Sequence, residues 1–565
     1  MAANLEVNSQ AKLPVSTTGN ESTSATEKEE EIETEKKKES KKQDGFETSD
    51  TPSADEYPRG FALMYIVVAI MLATFLISLD QTIIGTAIPK ITDQFGGLDK
   101  VSWYGSAYFM TYGGFQPSLG KVYRYFSLKG TFLVSLFIFE LGSLICGVAP
   151  NPNALIVGRA IAGVGGAGMA TGGFTIIAFS SEPKRRPLFT GLVGSAYGLS
   201  AVSGPLIGGA FSDKVSWRWC FYINLPVGGL AAAIIFIFFK SPKAAKPIQA
   251  SWKEIILNMD LVGVTLTMCL VICFILGLEY GGQSRPWNSS TVIGLLVGFG
   301  LILITLLIWE FYQGERAMFV WRLFKRRALW APSTYIFFLA GSYFILLYYL
   351  PIYFQSIGNT SPIGSGVRNL PMVITFSIAA IIAGAFVERT GLATQTMLAG
   401  SAIATIGTGL IYTWDISTPT GKWIGYQILA AFGFVIPYLV PMNIAQANAT
   451  PADMSTVTAT IFLFQTLGGA FSISAAQSAF VNTMIKELRS TAPNIDPMAV
   501  VTTGATQIRA VFTEPDDIRG ILLAYMAGLK ATFAISVGMV GFAFLVGFFS
   551  PWRRLHGASE SVGFA

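Results

Sequence analysis

The sequence predicts an all-α polytopic membrane protein, and three observations carry that expectation. Only 13% of its 565 residues are charged, about half the share a soluble domain carries. Apolar residues make up 52%, and the mean hydropathy is +0.52. Those apolar residues gather into runs of about 20, the length a helix needs to cross the hydrocarbon layer.

Fourteen such runs stand in order along the chain. The first half holds runs at 61–88, 102–120, 130–149, 153–179, 188–211 and 219–239. Two more follow at 259–280 and 291–311. The last six lie at 332–355, 367–387, 393–413, 424–445, 455–484 and 527–550. The longest break among them, 485–526, contains Arg489, Pro493, Asp496, Arg509, Glu514, Asp516 and Asp517, too polar to span. Within it, Ile508 to Phe512 predicts a short surface helix.

Residues 1–60 differ in kind, with 14 acidic residues against 8 basic ones and almost no aromatics. Such a stretch buries too little apolar area to offset its ordering entropy, so a disordered cytosolic tail is expected. No apolar segment precedes it, and no cleavable signal peptide is expected. Residues 551–565 form a second cytosolic tail.

Lysine and arginine in short loops set the orientation. With the N-terminus inside, the inner loops hold Lys121, Arg124, Lys129, Lys184, Arg185, Arg186, Lys240, Lys243, Lys246 and Lys253. Arg316, Arg322, Lys325, Arg326 and Arg327 follow. The opposite loops of the first nine runs hold only Lys90, Lys100, Lys214, Arg218 and Arg285. Both termini are therefore expected in the cytosol, and the Arg553-Arg554 pair agrees. The sequons at Asn288 and Asn359 fall in the outer loops, as glycosylation requires.

Several chemistries lack their residues. The single histidine, His556, is near the C-terminus, so no His-based metal site is expected. Cys146, Cys220, Cys269 and Cys273 all lie in or beside spans and read as small core hydrophobes. No phosphate loop occurs, since Gly120-Lys121 and Gly421-Lys422 lack its context. No soluble stretch is large enough for a nucleotide domain. The basic majority belongs to membrane loops, so nucleic acid is not an expected partner. An enzyme, a bound cofactor and an ATP-driven pump are all disfavoured.

Charge inside a bilayer is expensive and usually functional. Asp260, Glu279, Glu310 and Glu388 sit at span ends, where snorkelling suffices. Three charges lie deeper. Asp80 is about eight residues from the outer end of the first span, about 12 Å at 1.5 Å per residue. Glu140 and Arg159 lie at similar depth in the third and fourth spans. An Asp and an Arg at one depth can pair, giving a carboxylate whose protonation depends on the arginine. A proton-coupled switch and a static pair that fixes packing both fit these residues. Glycine is the second signal, with Gly158, Gly163, Gly165, Gly166 and Gly168 in the fourth span. The fifth holds Gly191, Gly194, Gly198, Gly204-Pro205 and Gly208-Gly209. Small residues at these spacings let helices approach closely.

From Leu79 to Gly229 the chain resembles the major facilitator superfamily, and within it the fourteen-span drug:proton antiporters. Leu79-Asp80-Gln81-Thr82-Ile83-Ile84 with Pro89 is similar to their first-span motif. Arg159 with Gly163 and Gly165 is similar to the fourth-span motif, and Gly198, Gly204-Pro205 and Gly208-Gly209 to the fifth-span antiporter motif. Trp217-Arg218-Trp219 and Phe221-Tyr222-Ile223-Asn224-Leu225-Pro226 resemble the sixth-span signature. One loop departs. Where the family usually reads Gly-x-x-x-Asp-Arg-x-Gly-Arg-Lys, this chain has Gly120-Lys121-Val122-Tyr123-Arg124-Tyr125-Phe126-Ser127-Leu128-Lys129. The acidic member has become Arg124, so the usual relay at that gate cannot be carried over.

The resemblance implies the major facilitator fold: a six-helix bundle over 61–239, a linker with two extra spans over 240–330, and a second bundle over 331–550. It implies alternating access around a midplane cavity. Asp80, Arg159 and Glu140 would couple protons, and Gly163, Gly165, Gly204, Pro205, Gly208 and Gly209 would serve the conformational change. The variant loop, Cys146-Gly147 and Trp219-Cys220-Phe221 look like the fungal branch that exports toxins and other secondary metabolites. The second half offers Tyr343, Tyr348, Tyr349, Asn443, Gln446, Gln465 and Gln477 as interior polar groups; Tyr343, Asn443 and Gln465 are the candidate cavity contacts. Aromatics and amides favour a neutral, amphiphilic cargo. The expectation is a monomeric plasma-membrane efflux transporter exchanging small molecules for protons. The alternative is a siderophore or vacuolar basic amino-acid carrier of the same superfamily.

Overall fold

The structure is a computed structural model that describes residues 58, 60–95, 101–242, 245–503 and 507–555. The acidic tail before residue 58, Lys100, Lys243 and His556 lie outside the described residues. Each apolar run forms helix. In chain order these are α1 (Phe61–Phe95), α2 (Val101–Tyr125), α3 (Leu128–Val148), α4 (Pro152–Ser180) and α5 (Arg186–Lys214). Then come α6 (Asn224–Phe238), α7 (Leu261–Tyr280), α8 (Ser290–Gln313), α9 (Arg327–Ser356) and α10 (Leu370–Thr390). The last four are α11 (Ala393–Tyr412), α12 (Thr420–Tyr438), α13 (Met454–Thr491) and α14 (Pro515–Gly547). Among the described residues no strand forms beyond a single bridge between Gly281 and Arg285.

Local chemistry places the starts. The Ser127 hydroxyl accepts from Gly130 N and caps α3; the Asn151 side chain accepts from Ala154 N and caps α4, with Pro152 just inside. Gly391, at φ 68°, closes α10 in a left-handed turn. Eleven of the candidate spans are long and apolar enough to cross a membrane by composition as well as length. The helices short of that measure are α2, α5 and α11, where Gly, Ser, Thr and Tyr replace aliphatic residues.

Three boundaries differ from the sequence reading. The sixth run is two pieces, Trp219–Tyr222 and α6, meeting at Ile223. Pro226 falls in the first turn of α6, where a missing N–H breaks no intrahelical bond. The twelfth run is also two pieces, α12 and Val440–Ala447. The polar break shrinks because α13 carries Lys486, Glu487 and Arg489 as further helical turns and α14 starts already at Pro515. Ile508–Val511 is helical, as expected. The cysteine reading needs a correction too: Cys146 and Cys220 are buried, but Cys269 is exposed and Cys273 half-buried on α7.

Helices α1 to α6 pack on one another, and so do α9 to α14. Helix α7 lies against α2 and α13, and α8 lies on α7. Most of α8 shows apolar side chains outward, among them Val297, Leu301, Ile304, Leu307 and Phe311, as a surface facing acyl chains requires. The two groups meet along α5–α10 and α2–α13, with α4 also touching α13. Those seams are built on glycine. A Cβ on Gly191 would strike the Ala380 carbonyl, and one on Gly384 the Pro187 carbonyl. Close contact is dense at the end bearing the Lys/Arg-rich loops, here termed the basic end. There Thr190 Oγ1 donates to Asn443 Oδ1 at 3.3 Å, Gln446 Nε2 donates to Thr458 Oγ1 at 3.0 Å, and Phe174 packs on Phe462.

Candidate functional site

Asp80 of α1 and Arg159 of α4 form an ion pair with both side chains at 0% exposure. Arg159 Nη1 donates to Asp80 Oδ2, and Nη2 donates to the backbone carbonyl of the same aspartate at 3.4 Å. The third arm, Nε, donates to the Tyr104 carbonyl of α2 at 2.9 Å. The guanidinium lies 4.5 Å from the centre of the Tyr108 ring, a contact worth about 2 kcal/mol when desolvated. Arg159 is thus fastened to α1 and α2 by separate contacts.

A third helix completes the pair. Asn224, the first residue of α6, donates from Nδ2 to Asp80 Oδ1 at 3.4 Å and to Ser143 Oγ of α3 at 3.0 Å. Its own carbonyl oxygen is buried without a donor. The break at Ile223 puts the amide at a helix start rather than mid-helix. Chemically the set has two forms. With Asp80 charged, each carboxylate oxygen meets a donor, Arg159 on Oδ2 and Asn224 on Oδ1. With Asp80 protonated, Arg159 still has the Tyr104 carbonyl and the Tyr108 ring, and the Asn224 oxygen can accept the new O–H after an amide flip.

Glu140 stands beside this pair and does not join it by a hydrogen bond. Both its carboxylate oxygens are buried without a partner, and the group fills the space over Gly228 of α6, where a Cβ would collide with it. Ser143 and Asn224 lie one turn away on the same two helices, so Glu140 shares the α3–α6 seam with the Asn224–Ser143 hydrogen bond.

The glycines have distinct neighbours. A Cβ on Gly163 would meet Thr111 and the Tyr108 carbonyl, and one on Gly165 the Phe139 backbone. Gly204 lies against Thr82 and Ile83, one turn beyond Asp80. Gly208 is buried and its carbonyl faces Cys220 Sγ at 3.9 Å. A Cβ on Gly209 would meet nothing within 4 Å, so close approach does not explain that glycine; the side chain of Pro205 lies outside the described residues.

Among the cavity candidates, Tyr343 is fully buried in a cluster with Phe376, Phe434 and Tyr438, and its hydroxyl has no partner. Asn443 lies in the α5 seam described above. Gln465 is half-buried on α13. Tyr349 donates to Gln477 at 2.9 Å, while Tyr348 is exposed. Asn288 and Asn359 are exposed, at the end opposite the basic loops.

Sequence reasoning did not single out Asn224, Ser143, Tyr108 or Gly228 for the site. Asn224 stood inside the quoted sixth-span stretch and was its only buried amide candidate; the others are ordinary residues of apolar spans and carry no signal of their own. Asp260 and Glu310 were expected to snorkel, yet are only 4% and 6% exposed.

The major facilitator superfamily pattern matches residues 70–473. The chain belongs to that family. A major facilitator protein from Penicillium sp., the MFS-type transporter grgE, is 76% identical over 567 residues, covering all of both chains. The probable efflux pump gsfJ of Penicillium aethiopicum is 54% identical over 504 residues, covering 89% of this chain and 90% of that one. Among solved major facilitator structures, the proton:xylose symporter XylE aligns with a TM-score of 0.56 at 11% identity, over 88% of this chain and 98% of that one. That likeness bears on the fold alone.

Proposed function

We propose that this major facilitator protein is a proton-driven exporter of neutral or amphiphilic small molecules, working by alternating access. The observation that carries the reading is the Asp80–Arg159–Asn224 set: a fully buried carboxylate on α1 whose partners on α4 and α6 can hold it charged or protonated by exchanging hydrogen-bond roles. A permanent ion pair in this position is a weak source of stability, so a switching role accounts better for its burial. Glu140, one turn from Ser143, is the second proton acceptor of the reading. The relatives named as efflux pumps support export rather than uptake.

In this account fourteen helices span the bilayer with both termini in the cytosol, and the basic end faces inward. Residues 61–239 and 331–550 are the rocking halves, and 240–330 carries the inserted pair. The α5–α10 seam, floored by Gly191 and Gly384, is where the halves slide. Gly163, Gly165, Gly204 and Gly208 fix α4 and α5 closely enough to α1, α2 and α3 to hand the motion to Asp80. Tyr343 and Gln465 are the cargo contacts, and an aromatic and amide lining suits a neutral amphiphile such as a mycotoxin or drug. Asn288 and Asn359 face the exterior as glycan acceptors. The plasma membrane is the proposed location, with the protein acting as a monomer.

The test is accumulation of a panel of lipophilic toxins and dyes in cells with and without the protein, with and without a protonophore. Lower accumulation that the protonophore abolishes supports the reading. Unchanged accumulation across the panel removes broad export and favours a dedicated carrier.

A further inference from the structure

Helix α8 buries only Val292, Leu306 and Glu310. A carboxylate is an odd member of that trio, since an otherwise lipid-facing helix has every reason to leave its end-placed acid in water. Its environment explains the burial. Four consecutive residues of the loop that follows α8 are held by three buried charges. Lys121 Nζ of α2 donates to the carbonyls of Arg316, at 2.7 Å, and Ala317. Asp260 Oδ2, at the start of α7, accepts from Met318 N at 2.9 Å, and Glu310 Oε2 accepts from Phe319 N at 2.8 Å. Lys121 is only 3% exposed.

The seat is shaped for this. Asp260 adopts φ 45° and ψ 58°, a left-handed conformation uncommon outside glycine. From there its Oδ1 takes the Trp309 Nε1 at 2.7 Å and caps α7 at Gly263 N. Gly263 leaves the room: a Cβ on it would lie 2.5 Å from Asp260 Oδ2 and 2.8 Å from Glu310 Oε1. The same loop then reaches the other half. Arg322, three residues past Phe319, pairs with Asp453 at 3.2 Å, and the Asp453 side chain is 5% exposed where α13 begins. Directly beside it, Gly120 of α2 packs on Ala459 and the Ser455 carbonyl of α13.

We infer that the inserted helices form a latch on the basic end: Lys121, Asp260 and Glu310 clamp residues 316–319 and thereby hold α2 against α13. Lys121 stands in the loop motif whose acidic member is replaced by Arg124, and here its partners are backbone carbonyls rather than a carboxylate of that motif. The latch must release before the halves part at this end, which makes the three charges positioning residues for the transport cycle. Burying three charges stabilises poorly compared with an apolar trio of similar volume, while a polar clamp fixes one register and releases as a unit. The inference rests on the alternating-access reading above.

The test uses the full chain with Cys146, Cys220, Cys269 and Cys273 changed to Ala and a cysteine pair Thr190→Cys and Asn443→Cys, whose side chains touch only when the basic end is closed. Disulfide yield under limiting oxidant, measured on folded protein in membranes, reports closure. Lys121→Met and Asp260→Asn should each lower that yield roughly fivefold or more, the lower range of coupling between linked states. Arg285→Ala, at the opposite end, should leave it unchanged. Should Lys121→Met fail to fold, Asp260→Asn carries the test, because Asn suits both the left-handed region and a helix cap. An unchanged yield in folded Asp260→Asn overturns the latch. The yield needs no transport, so a chain that exports nothing yet shows the fall keeps the latch and sinks the export reading.

Discussion

Arg159 grips Asp80 twice, with Nη1 on the carboxylate and Nη2 on the backbone carbonyl of the same residue. The second contact does not depend on the aspartate's charge. Protonation therefore loosens the pair without releasing the arginine from α1, and the geometry returns when the proton leaves.

Removing one partner should expose that arrangement. Arg159→Ala leaves a carboxylate buried and unpaired, which costs about 3–5 kcal/mol. The expected outcome is less protein in the membrane and a lower Tm of the purified protein. The double variant Arg159→Ala, Asp80→Asn should recover much of the stability and none of the export. Full stability in the single variant would show that the pair is solvated.

Asn224 links Asp80 to Ser143 across the start of α6. Asn224→Ala strands Ser143 and one carboxylate oxygen, a loss of about 1–3 kcal/mol for buried groups left without partners. Export per molecule should fall while surface abundance changes little. Unaltered export would place the amide outside the coupling set.

The seam glycines predict a mechanical defect. Gly191→Leu must displace the Ala380 carbonyl, and Gly384→Leu the Pro187 carbonyl. Both should slow turnover, because overpacking forces helices apart. Gly209→Leu, with open space around it, should be tolerated. Equal transport in all three would detach the α5–α10 contact from the cycle.

Glu140 and Gly228 should behave as one unit. Gly228→Ala drives the carboxylate from its seat and should reduce export as Glu140→Gln does. Combining Gly228→Ala with Glu140→Ala removes the clash, so the pair should be more stable than Gly228→Ala alone. A Gly228→Ala variant with normal export would return Glu140 to a packing role.

The spans were legible because an apolar run of about 20 residues has few other uses, and Asp80 with Arg159 because buried charge is rare enough to notice. The helix breaks at Ile223 and Leu439 are marked only by nearby prolines, Pro226 in one run and Pro437 and Pro441 in the other, and a proline within an apolar span is as compatible with a kinked continuous helix as with a break. Asp260 and Glu310 were misjudged for a related reason. A position at a span end allows snorkelling, and only the fold shows that the loop 316–319 comes back to cover them. Tyr108 and Ser143 serve the site through which helix they face, a property that period and composition leave open when all sides of a helix are apolar.

The central claim is that proton movement passes through Asp80. Vesicles containing the purified protein, loaded with a lipophilic dye that the cells exclude, allow gradient-driven transport and gradient-free exchange to be measured on one preparation. The account predicts that Asp80→Asn loses accumulation driven by a pH gradient and keeps dye exchange across equal pH. Gradient-driven accumulation at the wild-type rate in Asp80→Asn would contradict it.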